Sequence, residues 1–203
     1  MMSASDRGAA LCVPGFSVDA QHRLEVASFL PSPHADARPD PADISLLVVH
    51  AISLPPGEVG GAGNREHISD LFLGRLDPRR HPYFEHIKDL RVSAHLCIFR
   101  DGSITQYVPF DRRAWHAGES AFDGRTRCND FSVGVELEGA DELAFEDAQY
   151  TALARTAVAL MRVYPGISAE RIVGHSDIAP RRKTDPGPHF DWTRLLYMLD
   201  YPR

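Results

Sequence analysis

A chain of 203 residues, 43% of them hydrophobic, can bury one core, or one core with a long decorated loop. Its formal net charge of -6 argues against nucleic acid as a partner, because phosphate binding needs a basic face. No stretch is apolar for long enough to cross a bilayer, and Asp6 and Arg7 interrupt the first residues where a secretory signal would need an apolar run.

In chain order, residues 1–30 read as an N-terminal arm with one short helix. Residues 31–41 hold Pro31, Pro33, Pro39 and Pro41 and read as an extended lead into the core. The run SLLVVH at 45–50 is continuously apolar with β-branched residues, which predicts a buried central strand ending on His50. LPPG at 54–57 then forces a turn. The stretch 57–90 is rich in Gly and Pro and reads as a long mobile connection that admits substrate. One short helix over 67–76 is predicted within it from Ile68, Leu71, Phe72 and Leu76. Residues 95–100 and 103–108 flank Asp101-Gly102, a hairpin signal.

The segment 132–138 alternates, with Val133, Val135 and Leu137 on one face and Gly134, Glu136 and Glu138 on the other. A helix over 146–164 follows, with Leu153, Ala157, Leu160, Met161 and Tyr164 on one face and Pro165-Gly166 stopping it. A strand at 171–174, a loop, and a terminal helix capped by Asp191 and running to about Leu199 complete the chain. This order predicts an α/β fold (α+β in stricter schemes), a single domain with a central mixed β-sheet flanked by helices.

The loop GHSDIAPRRKTDPG at 174–187 is the densest source of chemistry. It carries His175, Lys183 and Asp185 on a strand end, and Pro180 and Pro186 hold it out of regular structure. That reads as half of a metal-hydrolase site. Catalytic zinc takes three ligands from His, Asp and Glu and leaves a fourth position for water. His50 and His175 both end strand-like runs, and Asp185 lies in the same loop as His175. On spacing alone, each histidine can equally be an ordinary core or surface residue, and Asp185 a turn residue.

Glu136 sits mid-strand opposite the apolar face, beside Gly134, which leaves room close to the backbone. Glu138 has the same orientation and competes with it. Lys183 is either a solvated member of the basic run 181–183 or an oxyanion aid. Trp115, followed by His116, is either an aromatic surface for a sugar or a core residue. The cysteines Cys12, Cys97 and Cys128 are odd in number and form no CxxC pair, so neither a disulfide framework nor a thiolate zinc site is expected. Cys97 reads as a small buried hydrophobe. A reducing cytoplasm is the simplest compartment.

LLVVHAISLPPG at 46–57, RVSAH at 91–95, QYVPF at 106–110, RAWHAG at 113–118, NDFSVGVELEG at 129–139 and the 174–187 loop occur in that order. As a set they resemble the zinc-dependent N-acetylmuramoyl-L-alanine amidases of the amidase-2 type, relatives of a phage lysozyme and of peptidoglycan recognition proteins. The resemblance spans roughly 31–192 and omits the arm and the stretch around Ala62 to Glu66. It implies a peptidoglycan-recognition-protein-like fold, with an amidase domain over 31–203 behind the arm at 1–30.

The same resemblance implies that His50, His175 and Asp185 ligate Zn2+, that Glu136 rather than Glu138 is the general base, and that Lys183 assists. The implied reaction is hydrolysis of the amide between the lactyl group of (1,6-anhydro)-N-acetylmuramic acid and L-alanine, in cytoplasmic peptidoglycan recycling. An indirect role in β-lactamase regulation comes with it. The expected partner is a small soluble anhydro-muropeptide contacted by Arg91, Trp115 and His116. Nucleic acid and membrane insertion are not expected, and a monomer is. Where the cytoplasmic branch of the family would carry Asn after the first ligand, this chain has Ala51. A recognition module that had lost catalysis would lack a ligand or the acid, whereas all five residues are present. An exported wall amidase would be expected to carry a signal.

Overall fold

A computed structural model describes residues 16–200. Its elements are β1 (Ser28–Phe29), β2 (Ala35–Ala37), β3 (Leu46–Ile52), α1 (Gly61–Phe72), α2 (Phe84–Ile87), β4 (Leu96–Ile98), β5 (Ile104–Gln106), β6 (Arg112–Ala114), β7 (Ala121–Phe122), β8 (Arg125–Thr126), β9 (Ser132–Glu138), α3 (Asp147–Val163), β10 (Ile172–Gly174), α4 (His175–Ile178) and α5 (Trp192–Asp200).

Six strands form one mixed sheet in the order β1-β5-β4-β9-β3-β10. All neighbours are parallel except β4 and β5, the hairpin over Asp101-Gly102, which pairs Ile98 with Ile104. The apolar runs of β3 and β9 take the two central positions, where both faces are covered and every residue from Leu46 to His50 and from Ser132 to Glu138 is buried.

Period-two alternation divides the molecule into layers. Leu47 and Val49 of β3 and Val133, Val135 and Leu137 of β9 pack with Leu153, Ala157 and Leu160 of α3 and Leu195 of α5. Buried Gln149 ties α3 to the sheet, because its Nε2 donates to the carbonyls of Ile98 and Glu138 at the ends of β4 and β9. On the opposite face Leu46 and Val48 pack with Ala117, Cys128, Phe131 and Ile178. His50 and Glu136 continue that same face toward the carboxyl ends of their strands. The fold is therefore the mixed, helix-flanked sheet that the element order predicts.

The stretch 57–90 departs from expectation. It forms α1, a 3-10 turn at Pro78–Arg80, and α2. Ile68, Leu71, Phe72, Phe84 and Ile87 bury themselves against Cys97, Phe99 and Tyr107. This is a packed helical layer and not an open loop. The helix starts at Gly61, well before residue 67, because a glycine-rich first turn hides it from periodicity. Residues 16–30 contain no helix; the rest of the proposed arm, Cys12 included, lies outside the described residues. The extended lead at 31–41 supplies β2, which pairs antiparallel with β6. The 174–187 loop opens with the short helix α4, which sequence patterning did not predict.

Candidate active site

His50, Glu136 and the loop after β10 converge on one cavity of about 620 Å³. Its lining includes His50, Glu136, His175, Lys183 and Asp185 from the sheet edge, Leu71, Phe72 and Tyr83 from the helical layer, and Asp141 and Glu142 at its rim. Ligands commonly sit in such a crevice, outside the carboxyl ends of parallel strands.

Three donor atoms meet there. His50 Nδ1 lies 2.9 Å from His175 Nδ1, and each lies 3.2 Å from Asp185 Oδ2. Each element contributes for a local reason. β3 carries His50 on the face opposite the core, β10 ends on Gly174 so that His175 opens α4, and the Ser176 amide donates to the Asp185 carbonyl and folds the loop back. A side chain at Gly174 would press on Pro186, its Cβ 2.9 Å from the Pro186 Cδ atom.

Electrostatics fit a cation. Burial pushes His50 down to about 4, and neighbouring His175 adds to the effect, so the imidazole is neutral and free to offer a lone pair. Burial opposes the charge on Asp185, but its close contacts with the His175 and His50 rings outweigh it and, while no cation is bound, hold the carboxyl well below its usual range. Two imidazoles and one carboxylate are a donor set suited to zinc. Ligand bonds of about 2.0–2.1 Å would separate tetrahedral ligand atoms by roughly 3.3 Å, close to the spacing found. Among the described residues this is the one group of three or more His, Cys, Asp or Glu side chains arranged to hold a metal ion.

Glu136 stands next to the cluster, paired in register with His50. Its Oε2 is buried without a hydrogen-bond partner. Burial raises its proton affinity well above the ordinary carboxyl range, the Asp185 charge raises it further, and Lys183 opposes both. Glu138 points the same way but is engaged in holding the fold, accepting from the amides of Gly60 (2.7 Å) and Arg100 (3.1 Å). Lys183 lines the same cavity, half-buried.

The residues expected to grip substrate fare differently. Arg91 is exposed and does not line the cavity. Trp115 stacks on His34 at 6.0 Å and donates its indole N–H to Asp36, which turns it away from the cavity. His116 does reach the cavity wall, but both of its ring nitrogens are engaged inside the protein, by His50 (2.9 Å) and Ser132 (3.1 Å). The space that Gly134 leaves is filled by this ring, since a Cβ there would lie 2.4 Å from the His116 Cγ atom. Sequence reasoning missed Asn129, whose side-chain oxygen accepts from the amides of His116 and Ala117. Its signal was only its place in the 129–139 run.

A three-residue group that could hold a metal ion, beside a buried, unpartnered carboxylate on the carboxyl edge of a mixed sheet, is an arrangement that suits a hydrolase. The particular family follows from comparison. The N-acetylmuramoyl-L-alanine amidase family model matches residues 40–188, and this chain belongs to that family.

The chain is 61% identical over 176 residues to the 1,6-anhydro-N-acetylmuramyl-L-alanine amidase AmpD of Citrobacter freundii, covering 87% of this chain and 91% of that protein. It is likewise 61% identical over 170 residues to AmpD of Escherichia coli, covering 84% and 90%. The crystal structure of a selenomethionine derivative of AmpD superposes with a TM-score of 0.84 at 58% identity, covering 88% of this chain and 97% of that one. A complex of the E. coli amidase AmiD with anhydro-N-acetylmuramic acid-L-Ala-D-gamma-Glu-L-Lys superposes with a TM-score of 0.56 at 32% identity, covering 76% and 57%.

Proposed function

We propose that this amidase cleaves the bond between the lactyl carbonyl of 1,6-anhydro-N-acetylmuramic acid and L-alanine in soluble anhydro-muropeptides, as a zinc enzyme of peptidoglycan recycling. The observation that carries the reading is the unpartnered Glu136 Oε2 buried beside the His50, His175 and Asp185 donors in one cavity. High identity to AmpD along most of both chains supports the substrate.

Zinc held by His50, His175 and Asp185 would supply Lewis acidity, lowering the pKa of a water toward neutrality. Glu136 accepts a proton from the attacking water and returns it to the departing nitrogen of L-alanine. Its high proton affinity suits the first transfer, and its place on a rigid strand keeps it within reach for the second. Lys183 directs its ammonium at the oxyanion that develops on the lactyl oxygen. Water adds across the amide; the lactyl carboxylate and the free amine of the peptide leave. The apolar side of the cavity, formed by Leu71, Phe72 and Tyr83, excludes bulk water from the reacting atoms.

The amidase domain is proposed to span 31–203, around the 40–188 match to the family model. The compartment proposed is the cytoplasm, in keeping with free, buried Cys97 and Cys128. No described helix is long and apolar enough to cross a membrane.

The test pairs metal analysis with turnover of an anhydro-muropeptide. Activity lost with chelator and restored by zinc is expected, with little release from intact sacculi. Turnover that survives complete removal of metal would overturn the reading.

A further inference from the structure

His50 and His175 each present Nδ1 to the donor cluster and turn Nε2 toward the same two residues. His50 Nε2 lies 2.9 Å from His116 Nδ1, and His175 Nε2 lies 3.2 Å from the carbonyl oxygen of Ala117. A histidine that offers Nδ1 as a ligand carries its proton on Nε2, and the acceptor met there fixes both tautomer and ring orientation. Both acceptors are thus supplied by one dipeptide between β6 and β7.

That dipeptide is itself held on every side. Asn129 Oδ1 accepts from His116 N–H at 3.1 Å and from Ala117 N–H at 2.8 Å. With Nδ1 accepting from His50, the His116 ring carries its own proton on Nε2 and donates it to Ser132 Oγ at 3.1 Å. Arg182 donates to the Ala117 carbonyl at 2.6 Å. Beneath them, buried Arg38 donates to the carbonyls of Asn129 (3.2 Å), Asp130 (3.2 Å) and Ser132 (2.8 Å), which fixes the segment that carries both Asn129 and Ser132.

We propose that His116 and Ala117 form a platform that orients both metal-ligating histidines, with Asn129 as the positioning residue that holds the platform in place. The inference rests on the zinc reading given above. In it, His116 acts through His50 and takes no hydrogen bond from the substrate.

The experiment measures zinc dissociation constants of the full chain, stripped of metal, by competition with a chromophoric chelator. Cobalt(II) absorption reports site geometry, and kcat and KM are measured at saturating zinc. His116→Phe removes the acceptor for His50, and zinc affinity is expected to fall about 10- to 100-fold, the usual cost of losing such a partner. His116→Asn keeps an acceptor near the Nδ1 position and is expected to recover most of that loss. Asn129→Ala should weaken zinc on the same scale with an altered cobalt spectrum, while Asn129→Asp, which keeps the accepting oxygen, should not.

Wild-type zinc affinity in His116→Phe with a raised KM would make His116 a substrate contact and overturn the proposal. If His116→Phe does not fold, unchanged affinity in Asn129→Ala overturns it equally. His50→Ala separates the two levels. If it leaves zinc binding intact, the metal reading itself fails and takes the platform with it. If it abolishes binding while the platform variants bind normally, only the platform fails.

Discussion

His50 and Glu136 are register partners on adjacent parallel strands, β3 and β9, each at the fifth of seven positions. Paired residues in a parallel sheet project to the same face, so the sheet alone sets a metal donor and a carboxylate side by side. On its other side Glu136 is paired with Cys97, a small buried side chain that leaves the carboxylate room. The proposed base and one candidate ligand therefore share a rigid frame, and only His175 and Asp185 depend on the segment after β10.

The first prediction separates chemistry from folding at Glu136. Glu136→Gln keeps the shape and removes the proton acceptor. Activity should fall about 10²- to 10⁴-fold, the range for losing a general base. Zinc content should stay at the wild-type level. The melting temperature should hold or rise, since a carboxyl that burial disfavours has been replaced by a neutral amide. A marked loss of zinc in this variant would count against the assignment.

Glu138 should behave in the opposite way. Its carboxylate receives the amides of Gly60 and Arg100 and so ties α1 to the ends of the central strands. Glu138→Ala leaves those donors without their partner, which costs about 1–3 kcal/mol. Urea unfolding should register that loss, while kcat in the folded fraction drops far less than in Glu136→Gln. Equal kcat losses in the two variants would restore Glu138 as a rival base.

The contrast between these glutamates shows what patterning can and cannot deliver. Strand alternation placed both on the face opposite Val133, Val135 and Leu137, and the structure agrees. Nothing in a period of two distinguishes residues two apart, so the choice between them needed family resemblance and, physically, the Gly60 and Arg100 amides. His50 and His175 are 125 positions apart, and only the parallel β3–β10 pairing brings them together. The 57–90 layer was legible only in part: Ile68, Leu71 and Phe72 marked one helix, while a glycine-rich first turn hid its start and α2 is too short to show a period. Trp115 was legible as an aromatic, but its partners His34 and Asp36 come from the segment read only as an extended lead.

Metal removal has a thermodynamic readout independent of turnover. A ligand that binds only the folded state stabilises it by about 4 kcal/mol at a thousand times its dissociation constant. For a chain of this size each kcal/mol moves the melting temperature by about 2–4 °C. Stripping zinc should lower it by roughly 10 °C, and zinc should restore it where magnesium, which prefers oxygen ligands, does not. An unchanged melting temperature in the chelated protein would mean that no ion had been bound there.

Acid should destabilise the metal-free protein over a defined window. His50 is pushed down to about 4 in the folded state, from about 6.5 when unfolded. Between those values the unfolded chain binds more protons than the folded one, so stability falls as the pH drops through the window. At about 1.4 kcal/mol per pH unit the loss from this group is roughly 3 kcal/mol. Burial also lowers His116 well below its ordinary value, and its contribution has the same sign. Urea unfolding at a series of pH values should show the slope, and His50→Asn should flatten it. Glu136, whose proton affinity burial raises, contributes with the opposite sign, so the difference between the wild type and His50→Asn is the readout. A slope that His50→Asn leaves unchanged would exclude a neutral, buried His50.

Gly134 and His116 supply the last prediction. As a residue of β9, Gly134 occupies backbone that alanine also tolerates, so any penalty must come from contact. The added Cβ would meet the His116 ring at 2.4 Å, well inside van der Waals distance, with Ser132 and His50 holding the ring from both ends. Gly134→Ala should therefore cost about 1–3 kcal/mol, the range for overpacking a tight interior. The same change in a His116→Ala background, where the ring is gone, should cost close to zero. A double-mutant cycle by urea denaturation measures the coupling. An equal penalty in both backgrounds would show that the strand itself, and not the ring seated against it, requires glycine.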